Sequence, residues 1–210
     1  MFEYFLRNMH YLRPDEWGHG LKAGRRRLTK SSIFFEESEM DLCSLLAARM
    51  LTVGLEMFRP TSVLDVGCGT GRALDWFLER GVDAIGIEGS VLARSKAIHP
   101  ERIHTRNLNN PVDLSRRFDM VWSFEVAEHI HPKFVDNFLR TLTIHSNVIV
   151  LSAAPPGQGG EGHFNEQPPQ YWIDKFYQLG FEYNQTAAEH FHQTGEFYCE
   201  NMLVFVPGKK

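Results

Sequence analysis

The chain has 210 residues, of which 43% are hydrophobic and 23% charged, so it can form one folded domain and is not a disordered tail. Its 22 Lys and Arg residues against 26 Asp and Glu residues give a formal net charge of −4, which argues against a general nucleic-acid-binding protein. Three widely spaced cysteines, Cys43, Cys68 and Cys199, show neither metal nor disulfide spacing, which favours a reducing, cytoplasmic setting.

Residues 1–38 are interpreted as an irregular extension and a candidate lid. They lack the pattern of a signal peptide, and no apolar run in the chain reaches the about 18 residues of a membrane span. A short basic cluster in this extension fits either a solvated surface or a patch that binds phosphate groups. This N-terminal basic cluster consists of Lys22, Arg25, Arg26, Arg27 and Lys30.

Residues 39–210 are predicted to form one domain in which helices and strands alternate. Apolar residues at helical spacing predict a helix over 39–58. We predict strands over 62–67, 82–87, 103–108, 118–124, 147–153, 181–185 and 198–206, and helices over 70–80, 90–97, 131–142 and 168–179. Continuous apolar strands between helices indicate an α/β fold, with a seven-stranded, mostly parallel sheet, helices on both faces and an N-terminal helical extension.

The most informative segment is VLDVGCGTG, residues 63–71, in which a buried strand runs into three glycines and then into a helix. Glycine suits a sharp turn at the end of a strand and lets a ligand approach the backbone, although tight packing alone can also require it. The spacing G-x-G-x-G, with Arg72 next, fits a dinucleotide fingerprint poorly, and no G-x-x-x-x-G-K-[ST] motif is present.

Two carboxylates accompany this loop. Asp65 lies near the end of the first predicted strand, where a buried carboxylate is costly unless a cation or hydrogen-bond donor compensates it. Glu88 ends the next strand, where an acidic side chain can accept hydrogen bonds from both hydroxyls of a ribose.

With these residues the chain resembles the class I S-adenosylmethionine-dependent methyltransferases over about residues 40–206. The resemblance implies a Rossmann-like fold and S-adenosylmethionine as cofactor. It implies that Asp65 and the backbone of Gly67, Cys68, Gly69 and Gly71 hold the methionine end of the cofactor. It further implies that Glu88 binds the ribose and that Gly89 lies beside the adenosine, while Phe124 and Glu125 flank the sulfonium.

The chain departs from that family after its third strand, where an acidic residue often binds the adenine amino group. Asn107 and Leu108 occupy the region here. Asn107 is interpreted either as an adenine contact, together with the backbone of Leu108, or as a turn residue only.

The segment EVAEHI, residues 125–130, follows the fourth predicted strand. Helical spacing would place Glu125, Glu128 and His129 on one face, where they could hold a divalent ion or position a base. The segment resembles the E-x-x-E-H segment of ubiquinone-pathway O-methyltransferases and of RNA methyltransferases that act on the terminal ribose of small RNAs. In both groups the segment is associated with a metal, and in the RNA group a later histidine precedes a helix containing an aromatic residue, as His163 precedes Tyr171 and Trp172 here.

Three roles for this segment stay open from the residues alone. The first is a metal site formed by Glu125, Glu128, His129 and His163, the second is direct acid–base or substrate contact, and the third is structural hydrogen bonding. His163 lies in a glycine-rich loop, residues 155–167, that should border the cofactor crevice. Its imidazole is the best candidate for a general base, with His129 second, although a loop histidine also commonly caps backbone groups.

The predicted function is therefore methyl transfer from S-adenosylmethionine, most readily to a hydroxyl group of a small molecule such as a sugar, a lipid or a natural-product intermediate. One alternative is metal-assisted methylation of RNA ribose, which would use the N-terminal basic cluster for phosphates and which the net acidity disfavours. A second alternative is a non-catalytic subunit that binds the cofactor without turnover.

Overall fold

The computed structural model describes residues 47–209, so the N-terminal basic cluster, Cys43 and the first part of the helix predicted over 39–58 lie outside the described range. Six α-helices are described, namely α1 (Ala48–Phe58), α2 (Arg72–Leu78), α3 (Val91–Ser95), α4 (Val135–His145), α5 (Pro169–Gln178) and α6 (Gln185–His192). The strands are β1 (Ser62–Val66), β2 (Asp83–Glu88), β3 (Ile103–Thr105), β4 (Met120–Ser123), β5 (Ile149–Ser152), β6 (Phe181–Tyr183) and β7 (Met202–Pro207). Short 3₁₀ helices cover Pro100–Arg102, Ala127–His129, Pro132–Phe134 and Cys199–Asn201.

The seven strands form one sheet in the order β3-β2-β1-β4-β5-β7-β6. Strands β1 to β5 are parallel, and β7 runs antiparallel to both β5 and β6. The predicted seven-stranded, mostly parallel Rossmann-like sheet is thus confirmed. Since the order changes direction between β1 and β4, the carboxyl ends of these strands open a crevice where ligands of such sheets bind.

Two apolar layers cover the sheet, one on each face. On one face, α4 and α5 contribute Phe138, Leu142, Trp172 and Phe176. On the other, α1, α2 and α6 contribute Met50, Leu51, Leu74, Phe77 and Phe191. This arrangement confirms helices on both faces. Within residues 47–209, no helix is both long enough and apolar enough to cross a bilayer.

The late part of the fold differs from the sequence expectation. The strand predicted over 181–185 ends at Tyr183, and α6 follows it because Asn184 accepts a hydrogen bond from the N–H of Ala187 at 3.1 Å and caps the new helix. The strand predicted over 198–206 begins only at Met202, after a turn of 3₁₀ helix. Both changes lie far from the carboxyl ends of β1 and β2 along the chain.

Candidate active site

The glycine loop after β1 adopts a left-handed backbone at each of the three glycines, with φ of 79° at Gly67, 55° at Gly69 and 81° at Gly71. Glycine reaches this conformation without the steric cost that a side chain brings. At Gly67 packing imposes a second requirement, because a Cβ there would lie 2.8 Å from Cγ1 of Val126. The loop therefore touches the segment that follows β4, and both border the crevice.

Cys68 turns its side chain away from the crevice. It is 6% exposed, and a Cβ placed on Gly86 of β2 would lie 2.5 Å from its Sγ. Burial raises the pKa of the Cys68 thiol well above its usual value, so it stays protonated. Only the backbone of Cys68 is placed to contact a ligand. The dependence on Gly86 is visible in the structure but has no motif in the sequence.

Glu88 joins the end of β2 to the glycine loop. Its Oε2 accepts a hydrogen bond from the N–H of Gly69 at 2.8 Å, and its Oε1 accepts one from the N–H of Ser90 at 2.7 Å. Burial raises its pKa, opposed by these backbone donors. A carboxylate has about four acceptor positions. The backbone donors leave part of this capacity for another ligand, and the contact of Glu88 with a ribose stays a prediction.

Asp65 lies on the penultimate position of β1 and is 3% exposed. Burial, with the nearby charge of Glu88, raises its pKa to about 8. Within the described range, no hydrogen bond or ion pair compensates this carboxyl group. A cationic partner such as an ammonium group would supply the missing compensation.

The region after β3 shows Asn107 in the role of a turn residue. Its side chain is exposed, and its Oδ1 accepts a hydrogen bond from the N–H of Asn109 at 2.9 Å. Leu108 is 8% exposed and packs into the core. Gly89 has room for a side chain, since the nearest atom to a Cβ there would be the carbonyl oxygen of Arg106 at 3.6 Å. An adenine contact by these residues stays a prediction.

The segment after β4 does not form the α-helical face expected from its spacing. Glu125 has a left-handed φ of 52°, and its N–H donates to Oγ of Ser152 at 2.7 Å. Only Ala127–His129 is helical, as a single turn of 3₁₀ helix. Phe124 stacks on Trp122, with ring centroids 6.1 Å apart and planes at 15°.

The carboxylate of Glu125 is bound by two amides that the sequence analysis did not single out. Nε2 of Gln158 donates to its Oε2 at 2.7 Å, and Nδ2 of Asn201 donates to its Oε1 at 3.1 Å. These residues come from the loop after β5 and from the turn before β7. No local pattern marks such long-range pairs in a sequence.

Glu128, His129 and His163 form a compact group, which we call the EHH cluster. One ligand atom from each lies within 4.8 Å of the others, and the two imidazole rings meet edge to face with centroids 4.8 Å apart. Glu125, the fourth residue of the expected metal set, is outside this group because Gln158 and Asn201 hold its carboxylate. The structure thus brings together three of the four predicted ligands.

Glu128 is fully buried, and its carboxyl group lies beside its own backbone N–H, that of Ala154 and the carboxyl group of Glu125. Burial, with the charge of the nearby Glu125, raises its pKa well above the usual range. A buried carboxyl group whose pKa is strongly raised by burial and a second carboxyl group often marks a functional site.

His129 presents a defined nitrogen to the EHH cluster. Its Nδ1 lies 3.0 Å from the carbonyl oxygen of Gly162, which can only accept, so Nδ1 carries the proton and Nε2 the lone pair. That Nε2 lies 3.9 Å from Oε1 of Glu128. Burial lowers the pKa of His129 to about 4. It is therefore neutral at pH 7, which suits a metal ligand and makes it a weak general base.

The donor set of the EHH cluster fits a divalent ion. It combines one buried carboxyl group with two imidazoles whose Nδ1 atoms are already engaged, by Gly162 for His129 and by Glu166 for His163. Ligating histidines commonly have this arrangement, with a carbonyl or carboxylate on the second nitrogen. Three protein ligands leave coordination positions for a substrate oxygen.

Comparison with known proteins agrees with this architecture. The chain is similar to the ubiquinone biosynthesis O-methyltransferase of Nitrobacter winogradskyi, with 32% identity over 75 residues that cover 32% of this chain and 28% of that protein. Its fold is similar to that of a sugar N-methyltransferase from Streptoalloteichus, with a TM-score of 0.63 at 17% identity over 90% of this chain and 100% of the other. It is likewise similar to the magnesium protoporphyrin IX methyltransferase of Synechocystis with bound SAH, with a TM-score of 0.63 at 15% identity over 86% of this chain and 90% of the other.

The match to the curated relative spans less than a third of that protein's length, so it says nothing about the remainder. A family model described as a methyltransferase domain matches residues 36–158, which is more than half of the chain and includes the glycine loop, Glu88 and the EVAEHI segment. The resemblance to class I S-adenosylmethionine-dependent methyltransferases is therefore confirmed, and this chain belongs to the methyltransferase-domain family.

Proposed function

We propose that the chain is an enzyme that transfers the methyl group of S-adenosylmethionine to a hydroxyl of a small-molecule acceptor. The observation that carries the proposal is the EHH cluster, in which a buried carboxyl group and two oriented imidazoles lie at the carboxyl edge of the sheet. Asp65 and Glu88 lie at the same edge and suit the ammonium and ribose groups of the cofactor. The similarity to an O-methyltransferase supports a hydroxyl acceptor.

The chemistry follows from two parts of the crevice, a cofactor half that contains Asp65 and Glu88 and an acceptor half that contains the EHH cluster. Ionised Asp65 would pair with the cofactor's ammonium group, and Glu88 would accept from its ribose hydroxyls. This would fix the sulfonium methyl so that an acceptor oxygen can approach in line. The oxygen lone pair forms the new C–O bond as the S–CH₃ bond breaks and leaves its electrons on sulfur. The hydroxyl proton must be removed, and the EHH cluster is the group of acceptors placed near this step.

A divalent ion held by Glu128 and by Nε2 of His129 and His163 would make a bound hydroxyl more acidic. Without an ion, Nε2 of His163 is the nitrogen that can take the proton, because Glu166 engages its Nδ1. With an ion, Glu128 would bind as a carboxylate, whereas without one its raised pKa keeps it protonated and leaves the imidazoles as the proton acceptors.

The test is turnover of a panel of phenols, sugar alcohols, matching amines and a short RNA, followed as S-adenosylhomocysteine release. We expect hydroxyl acceptors to react, and Glu128→Gln and His163→Gln to lower kcat by about 100-fold or more with unchanged cofactor affinity. His131→Gln changes an exposed histidine directly after the EVAEHI segment, so it is the matched control and should leave kcat unchanged. EDTA treatment separates an ion-dependent cluster from a purely proton-accepting one.

Reaction of amines but not hydroxyls, or full turnover by both cluster variants, would contradict the proposal. Cofactor binding without turnover of any acceptor would favour the non-catalytic alternative. Methylation of RNA in preference to small molecules would favour the alternative that depends on the N-terminal basic cluster, whose residues lie outside the described range.

A further inference from the structure

One carboxylate organises the glycine-rich loop after β5. Oε1 of Glu166 accepts hydrogen bonds from the N–H of Gly159 at 2.7 Å and from Nδ1 of His163 at 2.8 Å. Its Oε2 accepts from the N–H of Gly157 at 2.8 Å. Three donors from one loop of 13 residues thus converge on a single side chain that no sequence motif points to.

Glu166 is the acceptor in this arrangement, because the backbone N–H groups of Gly157 and Gly159 can only donate to its two oxygens. A carboxylate can only accept hydrogen bonds, so the atom of His163 that faces it must carry a proton. His163 therefore holds its proton on Nδ1 and its lone pair on Nε2 when the ring is neutral.

The same loop also orients the other half of the EHH cluster. The carbonyl oxygen of Gly162 accepts a hydrogen bond from Nδ1 of His129. The backbone N–H groups of Phe164 and Asn165 donate to the carbonyl oxygen of Glu128 at 2.9 and 3.0 Å. The fold of the loop and the direction of both imidazoles are therefore linked. Glu166 is the only side chain among the described residues that bonds both to the loop's backbone and to a cluster histidine.

We propose that Glu166 is a positioning residue that fixes the tautomer and orientation of His163, so that Nε2 is the atom offered to an acceptor proton or to a divalent ion. This inference rests on the proposed function of the EHH cluster and extends it to a residue outside the cluster. Glu161 is an exposed carboxylate of the same loop for which no hydrogen bond is found, so we do not expect it to have this role.

The decisive measurement is the tautomer of His163, read from long-range ¹H–¹⁵N NMR spectra about two pH units above the usual imidazole pKa. The His163 signals are assigned by their loss in His163→Gln. In the unaltered protein we expect the proton on Nδ1. In Glu166→Ala we expect a mixture with the Nε2–H form, whereas Glu161→Ala should match the unaltered protein.

Glu166→Gln keeps the size and one acceptor oxygen but removes the charge, so it should give an intermediate tautomer mixture even if the alanine variant loosens the loop. A second readout is the affinity of the chelator-treated protein for Co²⁺, measured by calorimetry. Loss of a group that orients a ligand typically weakens metal binding by about 10- to 100-fold, which is the effect we expect for Glu166→Ala relative to Glu161→Ala.

An unchanged Nδ1–H tautomer in both Glu166 variants would overturn the inference. The tautomer is read in the protein alone, so it decides even if no Co²⁺ binds. A protein that methylates only amines would refute the proposed function while leaving this result intact, which keeps the two failures distinguishable.

Discussion

At the scale of single residues, Glu88 connects the glycine loop to the end of β2. Its carboxylate accepts hydrogen bonds from the N–H groups of Gly69 and Ser90, and we expect its remaining acceptor capacity to bind a ribose. A single carboxylate would then both shape the loop and contribute to the cofactor site. These two contributions predict different responses to a change in the ligand.

We expect Glu88→Ala to weaken S-adenosylhomocysteine binding by at least about 10-fold, since each lost hydrogen bond to a carboxylate is worth roughly 1.5–3 kcal/mol. Calorimetry with the cofactor product and with an analogue that lacks ribose hydroxyls separates the ribose contact from loop shaping. The analogue should bind more weakly to the unaltered protein but lose little further affinity in Glu88→Ala. Glu79→Ala, exposed at the far end of α2, is the control. Equal losses for both ligands would show that Glu88 only shapes the loop.

At the scale of elements, two loops meet because Gly67 has no side chain. Gly67 has a left-handed φ of 79°, and a Cβ there would approach Cγ1 of Val126 to 2.8 Å. The loop after β1 therefore lies against the segment that leads to Glu128. If the proposed function holds, the cofactor half and the acceptor half of the crevice are joined at this contact.

We expect Gly67→Ala to destabilise the fold and to weaken cofactor binding, because it adds a steric clash to the cost of a left-handed backbone, which is about 1–3 kcal/mol. Gly81→Ala is the matched control, since Gly81 has a φ of 77° and nothing within 4 Å of a Cβ. Denaturant unfolding should show a larger loss for Gly67→Ala, and adding Val126→Ala should recover the difference. Equal losses at both glycines would rule out the clash.

The elements that follow one another locally could be predicted from the sequence. β1, the glycine loop and α2 were placed nearly correctly because a buried strand, three glycines and an apolar helix are each local signals. α6 was missed because its buried face is built from Ala187, Ala188 and Phe191, and the two small alanines give a weak apolar stripe. The EVAEHI segment was given helical spacing because a left-handed φ at Glu125 cannot be read from a non-glycine residue.

The site was predictable only in its cofactor half. Asp65, Glu88 and the glycines occur in one motif and at one strand end, so neighbouring parallel strands bring them together. The acceptor half depends on contacts between distant segments, such as Gln158 and Asn201 with Glu125, and Gly162 with His129. Gln158 and Asn201 hold the carboxylate of Glu125 beside the EHH cluster, an arrangement that spacing alone could not indicate.

At the scale of the whole molecule, we expect Asp65 to couple cofactor binding to the pH dependence of stability. Its pKa is about 8 in the folded chain against an ordinary value of 3.8, so between these values the folded state binds a proton that the unfolded state does not. Stability from this group is therefore fully present below about pH 4 and declines as the pH rises towards 8. Pairing with the cofactor's ammonium group would lower this pKa and reverse the loss.

We expect the cofactor to release about one proton from the protein when it binds at pH 6, because Asp65 is protonated there before binding and ionised afterwards. Calorimetry in two buffers of different ionisation enthalpy measures this release. The rise in melting temperature at a fixed, saturating cofactor concentration should also be larger at pH 8 than at pH 6. At pH 8 a larger fraction of Asp65 is already ionised, so the cofactor binds more tightly there. Asp65→Asn cannot ionise, so it should bind weakly, release no proton from this position and show the same small shift at both pH values. Proton release by Asp65→Asn equal to that of the unaltered protein would assign the release to another group and remove Asp65 as the partner of the ammonium.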